Sequence, residues 1–366
     1  MVGPLPPYDL AAFGLRAYSR FALDVRVLGG EHGRLRPRTL IVCAHRSDLD
    51  VPVFAGFLYF AHGNWRRRRL LPHFAVRDDL FLRGFFAGYP SWRSPHVRSI
   101  AWPLAVGGAL GRLRCRRIRS ASRMRLAELF RALPDVPVAE LVPAETAARL
   151  DARGIDVSRP SREALRGRIA DLLWEEHTPE TLAGPRLDPV WAERRRAAHA
   201  DFRALVDVVA GGGTLVIFPE GRPSPDGRIG PLRPGVAALV RRAHPDLLLP
   251  VSFAYDPLVA GRPRVHLALT QPVAPPTVDV EAEVLALLRR TTPLSAGQIV
   301  ARGLDAEDEV AEALESGRPV EPELLEPGWR ARRLREAAAA QSDEAALRRL
   351  AREHASARDE REPVAA

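Results

Sequence analysis

The sequence predicts an α/β fold, a central and mostly parallel sheet flanked by helices, with a helical insertion and a helical C-terminal extension. Two observations carry this. Short apolar runs of strand length alternate with helix-like segments, the pattern of βα units. The chain has 366 residues, 46% of them hydrophobic, which is enough for a sizeable core in one large domain or two ordinary ones.

The elements follow in order. Residues 8–23 read as an amphipathic helix with Leu10, Phe13, Ala17 and Phe21 on one face and Tyr18 beside them. Arg16 and Arg20 lie elsewhere on the wheel. That face either packs on the core or lies in a membrane interface with the arginines at headgroups. Thr39–Cys43 (TLIVC) reads as a strand, Leu49–Phe60 as a helix, His73–Val76 as a strand and Leu80–Ala87 as a helix. Ala101–Leu113 reads as a further helix and Arg117–Arg119 as a short strand. Thr214–Phe218 is a strand, Pro234–Ala243 a helix, and Leu247–Phe253 and Val265–Thr270 two more strands.

Ser122–Arg203 breaks the alternation. It is rich in Arg, Glu and Ala with proline punctuation, and reads as the helical insertion. From Asp279 onward Ala, Glu and Arg recur at helical spacing, and the end, REPVAA, reads as solvated or disordered. The expected organisation is an N-terminal amphipathic region at 1–30, a main domain at 31–275 containing the 122–203 insertion, and a helical extension at 276–366.

The net charge is +9, and every basic residue is arginine. Such a chain is drawn to anionic membranes, phosphorylated ligands or nucleic acid, and charge alone does not choose among them. Arg66–Arg69 is either a solvated face or a contact for anionic lipid or an acidic carrier protein. Cys43 and Cys115 are too few for a disulfide framework and read as small buried hydrophobes, which fits a reducing compartment. No signal peptide is visible at MVGPLPPYDL. The longest apolar stretches, Val51–Ala61 and Ser99–Gly111, fall short of the roughly 18–20 residues a spanning helix needs.

Two motifs carry chemistry. His45-Arg46-Ser47-Asp48-Leu49-Asp50 directly follows the TLIVC strand. The carboxyl end of a strand is where ligands bind in α/β sheets, and a histidine there can act as a base near neutral pH. Asp50, five residues on, is placed to fold back on the imidazole, with Ser47 or Asp48 as helix N-cap. A histidine that merely satisfies a turn is the plain alternative. The second motif, Phe218-Pro219-Glu220-Gly221-Arg222-Pro223-Ser224, also directly follows a strand. Gly221 permits close backbone approach to a ligand, Arg222 offers a fork for phosphate, and Glu220 suits a hydroxyl or the orientation of that arginine. The alternative is a turn with a solvated ion pair.

Other chemistries find little support. Ser47 has no nucleophile elbow around it, and Cys43 lies inside a strand. His73, His96 and His266 show no metal-ligand spacing, so no metal site is expected. Gly211–Gly213 is followed by a strand and no lysine, so it is no phosphate-binding P-loop.

HRSDLD fits the H-x4-D motif of the glycerolipid acyltransferases, and FPEGRPS resembles that family's F-P-E-G-T-R-S block. Arg117-Ile118-Arg119-Ser120 looks like its second block and Leu249-Pro250-Val251-Ser252 like its fourth. The resemblance spans roughly 39–270 and departs at one point. Arg222 follows Gly221 directly, and Pro223 stands where the family has arginine. The resemblance implies an α/β acyltransferase of phospholipid biosynthesis on the cytoplasmic face of a membrane, peripherally bound. His45, oriented by Asp50, would be the general base on an acceptor hydroxyl. Arg119, Glu220, Gly221, Arg222 and Pro250 would bind a phosphorylated glycerol or lysophospholipid acceptor. The co-substrate would be an acyl-CoA or acyl carrier protein thioester, with no cofactor. The apolar helix Val51–Ala61 would supply part of an acyl-chain wall or be ordinary core. The competing class is a basic, non-enzymatic module binding anionic membrane or nucleic acid. Nucleic acid is not expected, because the interleaved aromatic and basic residues of RNA-binding modules are missing.

Overall fold

A computed structural model describes residues 7–47, 49–82, 107–165, 171–182, 186–221, 229–256, 262–296, 299, 306–330 and 332. Nine strands are described among them. They are β1 (Asp24–Leu28), β2 (Thr39–Cys43), β3 (His73–Arg77), β4 (Cys115–Ile118), β5 (Met124–Arg125), β6 (Glu176–His177), β7 (Thr214–Ile217), β8 (Leu247–Asp256) and β9 (Arg264–Leu269). Seven form one sheet in the order β1-β9-β8-β2-β7-β3-β4. The pairs β1/β9, β2/β8, β2/β7 and β3/β7 are parallel, and β8/β9 is antiparallel. The expected α/β class is what the chain adopts. The described residues fall into two compact units, divided between Phe74 and Ala75 and between Leu205 and Val206.

In the first unit β2 is central, flanked by β7 and β8, and every residue of TLIVC is buried. An unbroken β-branched and apolar run is what a strand covered on both faces requires. Val42 pairs with Ile217 on one side and Pro250 on the other, so the chain leaves β2 and β7 at the same carboxyl edge. Around the sheet lie helices α1 (Pro7–Ala22), α2 (Asp50–Phe60), α3 (Gly235–Ala243) and α4 (Val280–Thr291). β1 was not expected from the sequence. DVRVL is a half-buried edge strand that carries two charged residues, so its apolar signal is short.

The first helix forms where expected, and of the two readings of its apolar face, packing on the core does not hold. Leu10 and Phe21 are 64% and 75% exposed, with Phe13 and Tyr18 also exposed. The buried residues are Asp9, Ala12 and Ser19. The reason lies in α2. The Tyr59 hydroxyl donates to Asp9 at 2.6 Å, and Arg68 grips both Asp9 oxygens at 3.1 and 2.8 Å. Gly56 allows the close crossing, since a Cβ there would lie 3.1 Å from the Arg16 nitrogen. The arginine run is thus partly structural: Arg68 holds α1, and Arg67 donates to the Leu35 carbonyl.

Smaller differences concern boundaries. The segment expected as a helix from Leu80 begins as a 3-10 turn, Asp78–Phe81, and 83–87 lie outside the described residues. Of the expected helix 101–113, the described part is Gly107–Arg112. The expected strand at 117–119 begins earlier, at Cys115.

The second unit has its own apolar core, with Leu126, Leu129, Phe130, Leu173 and Trp191 at its centre. The helices Leu126–Ala132, Ala144–Asp151 and Ser161–Ala164 contribute, as does the start of the long helix Asp188–Ala210. An ionic network lies beside that core. Arg194 donates to Glu128 and to Asp78, both at 2.9 Å, and to the Ser120 carbonyl at 2.9 Å. Arg125 bridges Asp79 and Glu176.

Burial, and then the nearby Glu128 carboxylate, raise the Asp78 carboxyl from an ordinary 3.8 to about 6. In the window between these values the folded chain binds a proton that the unfolded chain has lost. This contribution to stability is complete below 3.8 and is lost as pH rises through about 6. Asn in place of Asp78 imitates the protonated acid. Denaturant unfolding of wild type and Asp78→Asn at pH 4.5 and pH 7.5 should therefore show the variant gaining on wild type at the higher pH. A difference that does not change with pH would remove Asp78 as the source.

Candidate active site

β2 ends at Cys43, and two residues later the chain turns. The Ala44 amide still donates to the Val251 carbonyl at 2.9 Å, so the strand register carries on to the residue before His45. The turn then folds over Asp50, the first residue of α2, whose side chain is 0% exposed. His45 Nδ1 lies 2.9 Å from Asp50 Oδ2. The same oxygen accepts the amides of Arg46 at 2.6 Å and Ser47 at 2.9 Å. The Tyr255 hydroxyl, from β8, donates to Oδ1 at 2.6 Å.

Four donors thus converge on one buried carboxylate. They also settle the imidazole. With Asp50 as acceptor, Nδ1 carries the proton, and Nε2 of the neutral ring has a lone pair to offer. The His45 side chain keeps 13% exposure, and its ring lies 4.6 Å from that of Phe218, centre to centre. The expected N-cap is not formed by Ser47. The cap position is Leu49, with no side-chain bond, and Ser47 instead accepts the Leu49 amide at 3.3 Å. Asp48 lies outside the described residues.

The second motif meets the first through Glu220. Its Oε1 accepts the His45 amide at 2.8 Å and its Oε2 the Gly230 amide at 3.2 Å. Burial pushes the Glu220 carboxyl above its ordinary range, while those two amides and the Arg46 charge pull it back. Gly221 closes the turn by donating to the Phe218 carbonyl at 2.9 Å, with φ at +75°, a conformation that favours glycine. Arg233 returns onto this turn. Its amide donates to the Pro219 carbonyl at 2.8 Å, and its exposed side chain passes 3.4 Å from where a Gly221 Cβ would stand. Arg46 reaches Thr292, just beyond α4, at 3.5 Å, and Thr292 in turn meets Ser252 of β8 at 3.0 Å.

His45, Asp50, Glu220 and Gly221 are therefore brought together. Pro250 is buried within β8 opposite Val42, three residues before His45. Arg119 belongs to the second unit, where it pairs with Asp201 at 3.4 Å. Arg222 lies outside the described residues. Cys43 is fully buried, and burial raises its thiol well above the ordinary range, so it is no nucleophile. No group of three metal-ligating side chains occurs among the described residues. The sequence reading missed Tyr255, Gly230 and Arg233. Tyr255 lies 205 positions from Asp50, and no spacing rule connects them. The other two follow the FPEG turn closely, and a segment that must fold back over that turn was the available signal.

No family model matches the chain. A search of characterised proteins finds no significant match. Among solved structures, one similar chain is the crystal structure of the 1-acyl-sn-glycerophosphate (LPA) acyltransferase PlsC from Thermotoga maritima. It is 16% identical, with 77% of this chain and 75% of that chain covered, and a TM-score of 0.39.

The two bonds of Glu220 tie the turn after β2 to the segment at Gly230. In Glu220→Ala both amides lose their acceptor, and a buried bond of about 1.4 kcal/mol corresponds to roughly tenfold in local opening. Residue-resolved hydrogen exchange should show His45 and Gly230 exchanging about that much faster. Unchanged protection at both would show that the tie lies elsewhere.

Proposed function

We propose that this chain is an O-acyltransferase that moves a fatty acyl group from an acyl thioester to a hydroxyl of a glycerol-phosphate-type acceptor in phospholipid biosynthesis. The observation that carries the reading is the His45–Asp50 pair at the carboxyl edge of β2, with Nδ1 held at 2.9 Å and Nε2 left for a proton in transit. The HRSDLD and FPEGRPS motifs, which resemble those of the glycerolipid acyltransferases, support it.

In this mechanism His45 Nε2 takes the proton from the acceptor hydroxyl as that oxygen attacks the thioester carbonyl carbon. The tetrahedral intermediate then collapses, the carbon–sulfur bond breaks, and the thiolate of coenzyme A or acyl carrier protein leaves. The imidazolium returns its proton to that sulfur. Asp50 stabilises the transient imidazolium and keeps Nδ1 protonated. General-base assistance of this kind contributes about 10²–10⁴-fold. The resemblance assigns Glu220, Gly221 and Arg222 to the phosphorylated acceptor, and Pro250 to the wall of the site. The resemblance also assigns Arg119 to the acceptor phosphate.

A lipid acceptor calls for a membrane-bound enzyme. No helix among the described residues is long and apolar enough to cross a bilayer. The outward face of α1, with Leu10, Phe13 and Phe21, suits peripheral attachment on the cytoplasmic side, with Arg16 and Arg20 near headgroups.

Two experiments test the reading. Purified wild type and His45→Ala are assayed with radiolabelled acyl-CoA and acyl carrier protein thioesters against glycerol 3-phosphate, dihydroxyacetone phosphate and lysophosphatidate. His45→Ala should lose about 10²–10⁴-fold in rate with unchanged unfolding, and a fully active variant would sink the mechanism. Asp50→Ala should lose activity and also stability, about 2–4 kcal/mol, because buried donors lose their acceptor. In the second experiment, Phe13→Asp/Phe21→Asp should reduce co-sedimentation with anionic phospholipid vesicles about tenfold or more, since two apolar anchors are removed from the interface. Undiminished binding would place attachment elsewhere.

A further inference from the structure

We infer that Tyr255 is a positioning residue for the His45–Asp50 pair, acting through the carboxylate. The inference rests on the acyltransferase reading for its kinetic consequence and on geometry alone for its structural one. Three donors converge on Asp50 Oδ2: His45 Nδ1 at 2.9 Å, the Arg46 amide at 2.6 Å and the Ser47 amide at 2.9 Å. All three come from the turn at 45–47, on one side of the carboxylate. Only Tyr255 is seen to bind Oδ1 among the described residues, at 2.6 Å, and it comes from β8.

A carboxylate held by one oxygen can still twist about its last torsion, and the side chains of Asp are soft there. A short bond to the second oxygen from a separate strand removes that freedom. The Asp50 side chain has no exposure, so bulk solvent does not supply that bond in its place. The hydroxyl itself is well anchored. Tyr255 sits in the β8/β9 ladder, where its partner is Val265, and its neighbours Ala254 and Asp256 are buried. β2 lies beside β8 in parallel register, so strand pairing fixes the height of Tyr255 relative to the turn after Cys43.

Tyr255→Phe keeps the ring and deletes the bond. The expected result is a kcat lower by about 5–20-fold with KM within about twofold, since orientation of the base is felt in the transition state and acceptor binding is not. A residue that works through Asp50 adds nothing once Asp50 is gone. In the Asp50→Ala background Tyr255→Phe should therefore cause no further loss. The third arm needs no activity. In ring-¹⁵N-histidine NMR spectra of the full chain, the His45 Nδ1 resonance should move between wild type and Tyr255→Phe, while the other histidines stay in place.

An unchanged kcat, an equal loss in the Asp50→Ala background, or an unmoved His45 resonance would each overturn the inference. If wild type transfers no acyl group to any acceptor, the acyltransferase reading fails by itself. The NMR arm then decides the role of Tyr255 alone.

Discussion

The site is organised by the burial of one negative charge. Asp50 is shut off from water at the start of α2. A carboxylate in that position would cost several kcal/mol if its oxygens were left bare. The chain answers with four donors and with the N-terminus of a helix, whose dipole favours an anion. Two of the donors are amides of the connecting turn, so solvating the charge and shaping the turn are one event. The carboxylate spends its bonds on the turn at 45–47 and on Tyr255, and α2 starts from its cap position, Leu49, without a side-chain cap. The orientation of the imidazole and the folding of the turn are thus coupled at this residue.

The sheet decides what can reach that carboxylate. β2 is flanked by β7 and β8, so both neighbours deliver residues to its end. β7 leads to Glu220, which grips the His45 amide. β8 carries Tyr255, which reaches the far oxygen of Asp50. α4, packed further along the chain, brings Thr292 to Arg46. Parallel pairing alone would end β8 at the same edge as β2. β8, ten residues long, instead runs on past that edge with Val251–Asp256 in antiparallel pairing with β9, and that extra length carries Tyr255 to the turn.

Local patterns were legible in the sequence, and distant partners were not. TLIVC and TLVI declare themselves as buried strands because both faces must be apolar. His45 and Asp50 lie within one turn of each other, so a spacing of five residues suffices to propose their contact. Tyr255 joins them only through tertiary pairing, and Gly230 only through the return of the chain after the FPEG turn. The packing of α1 stayed open for a different reason. Amphipathicity shows that a helix has an apolar side, but it does not show which side meets protein. Close approach at Gly56 requires small residues on α1, and Asp9 finds Tyr59 and Arg68 waiting. The packing face is therefore the small and polar one. Leu10 and Phe21 stay exposed, while Phe13 meets the rings of Tyr59 and Phe60.

The arginines show why net charge was a poor guide to partners. A total of +9 suggests a surface made for polyanions. Much of that charge is employed inside each unit. In the first, Arg68 grips Asp9, Arg38 bonds Asp246 and two carbonyls, and Arg264 gathers Asp24, Glu321 and Glu323. In the second, Arg194 and Arg125 tie together four carboxylates. A chain without lysine must build its internal ion pairs from arginine, whose planar fork suits partly buried carboxylates. At the edge where His45 emerges, Arg46 lies near Glu220 and the side chain of Arg233 lies across Gly221. Two cations beside one histidine are a local feature, whereas the extended backbone of a nucleic acid asks for charge along a whole face.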